Sequence, residues 1–128
     1  MTGSRQPAND NDPNRHALLE RRMLIFAAGV VKKLQVSPNI PVKIVDQLIR
    51  SASSIGANYA EACNGVSKLD FRNKIYIAKK EAAETRFWID LCIEITSDKS
   101  WQTLRQEVHE LLVILQTITN TLKDRSAK

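Results

Sequence analysis

The sequence has no long apolar run. No segment approaches the about 20 consecutive apolar residues that a transmembrane helix requires. Residues 1–12 also lack the apolar stretch that forms the centre of a secretory signal peptide. We therefore predict a soluble, cytoplasmic protein with no membrane partner. Residues 1–12 are polar and are predicted to form a disordered tail.

Histidine and cysteine are scarce, with two of each in 128 residues. Metal sites in helical bundles commonly use Glu-x-x-His motifs on facing helices, and neither His16 nor His109 has a glutamate at that spacing. Cys63 has no histidine near it in the sequence, so a small buried hydrophobic role is favoured over a catalytic thiol. No glycine-rich phosphate loop is present. We predict no enzymatic activity, no metal and no cofactor.

Glycine and proline are also few, with four of each, which permits long uninterrupted helices. Pro38 and Pro41 nevertheless break the first helical pattern, because proline does not fit a helix interior. A second break is expected at Gly65, as a left-handed C-terminal cap. Ser67 and Asp70 then have the spacing of a capping box, which predicts the start of another helix. Together with a short polar turn at residues 97–100, these breaks divide the chain into four helical segments.

Hydrophobic residues recur at steps of three and four within each segment. The fourth segment has the most regular series: Trp101, Leu104, Val108, Leu111, Leu115, Ile118 and Leu122. Such spacing is typical of a packed bundle seam. Short turns between helices of similar length make consecutive helices antiparallel. We predict an all-α fold, an antiparallel up-down-up-down four-helix bundle over residues 13–124, with residues 125–128 frayed.

A polar stripe borders the apolar face of the second helix, and acidic residues on the third helix lie at similar heights. We call these residues the polar seam: Arg50, Ser54, Asn58, Glu61, Glu81 and Glu84. Buried polar groups need partners. One interpretation is therefore a hydrogen-bonded and ion-paired contact between the two helices, within a subunit or between subunits. The alternative is a pocket for a ligand or nucleotide.

The middle third of the chain resembles a known family. Three segments carry the likeness: Q-L-I-R-S-A-S-S-I-G-A-N-Y-A-E-A-C from residue 47, S-K-L-D-F from residue 67, and A-K-K-E-A-A-E-T-R-F-W-I-D-L from residue 78. They resemble the four-helix-bundle family encoded in intervening sequences of bacterial large-subunit ribosomal RNA genes. The family pattern falls on Arg50, Ser54, Ile55, Asn58, Glu61, Ser67, Lys68, Phe71, Glu84 and Thr85. Ala62 and Cys63 follow Glu61, where the ribosomal branch usually has Glu-Gly after the asparagine.

The resemblance implies self-association, often as a pentameric barrel. The family is also similar to the accessory variability proteins of diversity-generating retroelements. In that branch the likeness implies binding to DNA or RNA and to a reverse transcriptase. These partners are expectations from the resemblance.

Charge is unevenly distributed along the predicted bundle. The start of helix 1, the turn between helices 2 and 3, and the end of helix 4 share one end, which we call the basic end. It has an excess of basic residues, whereas the charges at the other end balance. The predicted contacts with a nucleic-acid backbone are Arg15, Arg21, Arg22, Lys68, Arg72, Lys74, Lys79, Lys80, Lys123 and Arg125. The alternative is an ordinary solvated surface on a structural or protein-interaction bundle.

Overall fold

The computed structural model describes residues 13–127, with side chains as far as Asp124. It contains four long helices and a short 3₁₀ turn at Lys99–Trp101. The helices are α1 (Pro13–Gln35), α2 (Val42–Cys63), α3 (Lys68–Thr96) and α4 (Gln102–Ala127). Each helix packs on the next one in the chain, and α4 returns to α1. The predicted all-α four-helix architecture is confirmed. The predicted tail over residues 1–12 lies outside the described residues, and α4 continues into the segment predicted to fray.

The turn between α2 and α3 is set by side-chain and backbone caps. Ser67 caps α3 as predicted, because its hydroxyl accepts a hydrogen bond of 3.0 Å from the backbone N–H of Asp70. The prediction of a left-handed Gly65 is wrong, since no described glycine has a positive φ. Asn64 ends α2 instead, and its side-chain amide donates to the carbonyl of Ala60 at 2.8 Å. A Cβ at Gly65 would meet the carboxylate of Asp70, which is the end of a side chain that can turn away.

The left-handed conformation that was predicted at Gly65 occurs instead at the end of α3. Ser97 has a φ of 56°, and its N–H donates to the carbonyl of Ile93 at 2.8 Å. A non-glycine residue pays a steric cost in this region. The adjoining Asp98 begins the 3₁₀ turn by accepting from the N–H of Ser100 at 2.9 Å. These two caps reverse the chain within a few residues, so that α4 packs antiparallel to α3.

The core runs the length of the bundle and follows the predicted apolar faces. Trp101 in the 3₁₀ turn is fully buried, as are Val108, Leu111 and Leu115 on α4, whereas Leu104, Ile118 and Leu122 pack at the edge of the core. Gly56 allows α1 and α2 to approach closely, since a Cβ there would meet Met23 at 3.2 Å. The interior also holds one polar pair across α2 and α3. The hydroxyl oxygens of Ser51 and Thr85 lie 2.9 Å apart, and both residues are inaccessible to solvent.

Candidate nucleic-acid interface

The basic residues predicted to bind nucleic acid differ in how exposed they are. Arg15, Arg21, Lys68, Lys80 and Lys123 are exposed, and the side chain of Arg125 lies outside the described residues. The remaining four are half-buried: Arg22, Arg72, Lys74 and Lys79. The contacts of these four side chains determine which positive charges at the basic end are available to a partner.

Arg22 is engaged within the bundle. Its guanidinium donates to both carboxylate oxygens of Glu107, with distances of 2.7 and 2.8 Å, and reaches Glu110 at 3.3 Å. The hydrogen bond to Glu107 raises the pKa of Arg22. Bidentate arginine–carboxylate pairs are among the stronger ionic contacts. This pair ties α1 to α4 across their mutual contact, so the charge of Arg22 is neutralised locally and contributes little to an anion-binding surface.

Lys74 is also paired, but at the surface. Its Nζ lies 2.9 Å from a carboxylate oxygen of Glu61, and this hydrogen bond raises the pKa of Lys74. Exposed ion pairs contribute little to stability because water and salt screen them. An arriving phosphate can therefore compete with Glu61 for this lysine at little cost.

The polar seam forms two separate ionic contacts between α2 and α3 of one chain. Towards the basic end, Glu61 pairs with Lys74. Further along, Arg50 pairs with Glu81 at 3.2 Å and with Glu84. The hydrogen bond to Glu84 is the largest contribution to the raised pKa of Arg50.

The other two members of the polar seam, Ser54 and Asn58, bond to each other within α2. Asn58 donates its amide to the backbone carbonyl of Ser54 at 2.8 Å, which keeps this contact within α2. The ion pairs of the polar seam therefore join α2 and α3 of one chain.

The outward side of α3 carries a compact basic cluster around an aromatic ring. The guanidinium carbon of Arg72 lies 5.8 Å from the ring centroid of Tyr76, and Nζ of Lys79 lies 6.0 Å from it. Lys80 is exposed one turn beyond the tyrosine. Sequence reasoning selected the three basic residues but missed Tyr76. The signal was present in the spacing, because positions four before and three after a residue share its side of a helix.

Both histidines make side-chain contacts within the bundle. His16 Nδ1 lies 2.6 Å from the hydroxyl of Tyr59, which joins the start of α1 to α2. Burial raises the pKa of the Cys63 thiol and raises that of Cys92 to about 11. Both thiols are free, but their raised pKa values disfavour the thiolate that nucleophilic chemistry requires. His109 lies beside Arg86, with 3.1 Å between Nδ1 and Nη1.

A metal site or a membrane-spanning helix would each indicate a different class of protein. Within residues 13–127, no group of histidine, cysteine, aspartate or glutamate side chains has the arrangement of a metal site. None of the helices described has the length and apolar character needed to cross a membrane.

The opposite end of the bundle neutralises part of its own charge. Lys33 Nζ lies 3.2 Å from a carboxylate oxygen of Asp98 and also bonds to the hydroxyl of Ser100. Hydrogen bonds from Ser100 are the main reason that the pKa of Asp98 is lowered, and Lys33 adds to the effect. Lys32 and Lys43 are exposed at this same end and provide comparison sites for the basic cluster on α3.

The fold and contacts define the class as an all-α bundle of four antiparallel helices, held together by an apolar core and interhelical ion pairs. Within that class, the chain belongs to the family of 23S rRNA-intervening sequence proteins, whose sequence profile matches residues 23–117. The resemblance predicted from the middle of the chain is thereby confirmed for this family. The predicted similarity to retroelement accessory proteins stays a prediction.

A solved structure supports the same assignment. It is a protein of unknown function from the S23 ribosomal protein family of Bacteroides thetaiotaomicron, determined at 1.70 Å. The two chains share 31% sequence identity with a TM-score of 0.75, over 82% of this chain and 97% of that one. Comparison with curated proteins gives no significant match.

Proposed function

We propose that this protein is a non-catalytic homo-oligomer that binds the backbone of DNA or RNA through its basic end. The observation that carries the proposal is the cluster of Arg72, Lys79 and Lys80 on the outward side of α3. Positive side chains gain affinity for phosphates by releasing condensed counterions. A closed oligomer would repeat this cluster around its symmetry axis and so increase the local charge.

Exposed apolar residues support self-association. On α1, Leu18, Leu24 and Ile25 are 72%, 58% and 57% exposed, and on α3 Phe87 is 60% exposed. The contact between α1 and α4 is the sparsest between neighbouring long helices. A groove of about 690 Å³ follows that contact and is lined by Ile25. Apolar surface of this kind is typical of protein interfaces.

The favoured occupant of this surface is another copy of the chain. Family membership directs that choice, with a pentamer as the leading expectation. If the likeness to retroelement accessory proteins holds, the oligomer would act beside a reverse transcriptase.

We predict that Ile25→Glu lowers the oligomeric state. The change places a charge within the exposed apolar surface of α1, where burial against a neighbour would leave the carboxylate desolvated. Multi-angle light scattering at micromolar concentration should show an assembly for the wild type and smaller species for the variant. Val42→Glu is the control. Val42 is 70% exposed and begins α2, at the end of the bundle opposite the basic end. A wild-type monomer under these conditions contradicts the prediction.

Binding should depend strongly on salt and little on sequence. We expect the logarithm of the association constant to fall linearly with the logarithm of salt concentration, with a slope near −0.9 per phosphate contact on duplex DNA and about −0.7 on single strands. Fluorescence anisotropy with labelled oligonucleotides of several sequences measures both properties. Absence of binding at low salt, with the assembly intact, would favour the second candidate, a structural or protein-interaction bundle supported by the same exposed apolar residues.

A further inference from the structure

Tyr76 is the aromatic centre of the basic cluster. Ile75, Ala78 and Ala82 form the buried face of α3, whereas Tyr76 is partly exposed. Arg72 and Lys79 approach the ring from the preceding and following turns of the helix. Their seven-residue separation corresponds to about 10 Å along the helix axis, comparable to about three steps of a stacked nucleotide strand.

The contacts between the ring and these cations are weak enough to be exchanged. Both lie near the limit of about 6 Å for a cation–π interaction, which is weak at an exposed site. Stacking of a nucleic-acid base on an aromatic side chain is the stronger interaction. A base that stacks on Tyr76 therefore more than replaces one such contact. The displaced side chain keeps its charge and has flanking phosphates to bind.

We propose that Tyr76 is a stacking platform for an unpaired base, and that the nucleic acid bound at the basic end is consequently single-stranded. This inference rests on the proposed function. In a duplex the base faces are occupied by their neighbours, so only the phosphates would be available to this surface. Contacts with phosphates alone do not favour a single strand, because duplex DNA has the higher charge density. A partly exposed ring between two cations adds base stacking, which favours a single strand over a duplex.

The test compares Tyr76→Leu with Tyr76→Phe on two probes, a labelled single-stranded oligonucleotide and the corresponding duplex, at one low salt concentration. Leucine retains an apolar side chain but removes the ring, so binding to the single strand should weaken by about 5- to 150-fold. Binding to the duplex should change little. Tyr76→Phe retains the ring and should bind the single strand nearly as well as the wild type. Salt titrations run in parallel should give the same slope for the wild type and both variants, because no phosphate contact is lost.

Circular dichroism and thermal unfolding of both variants establish that the bundle is intact before binding is compared. Equal affinity of Tyr76→Leu and wild type for the single strand overturns the stacking role while leaving a salt-dependent basic surface in place. An equal loss on single strand and duplex also overturns it, because the ring would then act only by positioning Arg72 and Lys79. If the wild type binds neither probe at low salt, the proposed function itself fails, and this inference fails with it.

Discussion

Replacing Leu111 with alanine is expected to lower the free energy of unfolding by about 2–5 kcal/mol. Leu111 lies midway along α4 and is inaccessible to solvent, within the continuous core. Truncation removes the transfer free energy of the buried methyl and methylene groups and leaves a cavity that the helices fill only partly. The expected loss is a substantial part of the free energy of unfolding of a typical domain, which is about 5–15 kcal/mol.

Leu69→Ala provides the matched control for this prediction. It is the same chemical change on a residue that is 65% exposed near the start of α3. Surface substitutions usually change stability by about 0.5 kcal/mol or less. Denaturant titrations of both variants should be made at one protein concentration, since self-association stabilises the folded state by mass action. A loss below about 1 kcal/mol for Leu111→Ala would contradict a close-packed core at this position.

The architecture could be predicted because helix breaks and apolar spacing are local properties of the sequence. Pro38 and Pro41 stop α1 and delay α2, since neither residue fits a helix interior. Ser67 was identified from its spacing to Asp70, and the structure shows the expected hydrogen bond. Steps of three and four in α4 placed Leu111 in the core for the same reason, since they return to one side of a helix.

The two helix ends that could not be predicted depend on contacts outside the local pattern. At Gly65 the sequence suggested a left-handed cap, but the φ of Gly65 is not positive and Asn64 ends α2. At Ser97 the left-handed conformation occurs without glycine or asparagine, which are its usual signals. Both outcomes follow from how the turns meet the adjoining helix, and single-sequence patterns do not contain that geometry.

The candidate site was only partly predictable for a related reason. Sequence position assigns a basic residue to one half of a helix, but its partner depends on helix rotation and on the reach of the side chain. Arg22 was grouped with the basic end, yet its side chain extends to Glu107 on α4. Lys74 was grouped there too and pairs with Glu61. The role proposed for Tyr76 depends on the positions of the Arg72 and Lys79 side chains beside its ring, which the structure shows.

These pairings determine which substitutions test the basic surface most directly. Lys74 is a poor choice because its reversal also breaks the contact with Glu61. Lys33 is a poor control because its reversal breaks the contact with Asp98. Arg72 and Lys79 lie beside Tyr76 in the basic cluster of α3, so reversing both changes the proposed surface at its centre.

We expect the double variant Arg72→Glu and Lys79→Glu to weaken nucleic-acid binding on the order of 100-fold at low salt and to reduce the salt slope by about two units. Two favourable phosphate contacts are replaced by repulsion, and fewer counterions are released. The control is Lys32→Glu with Lys43→Glu, which changes net charge equally at exposed positions of the opposite end. Salt titrations of both variants should give a much smaller loss for the control. Equal losses would mean that binding follows the net charge of the whole protein, and the assignment of a binding surface to α3 would then be wrong.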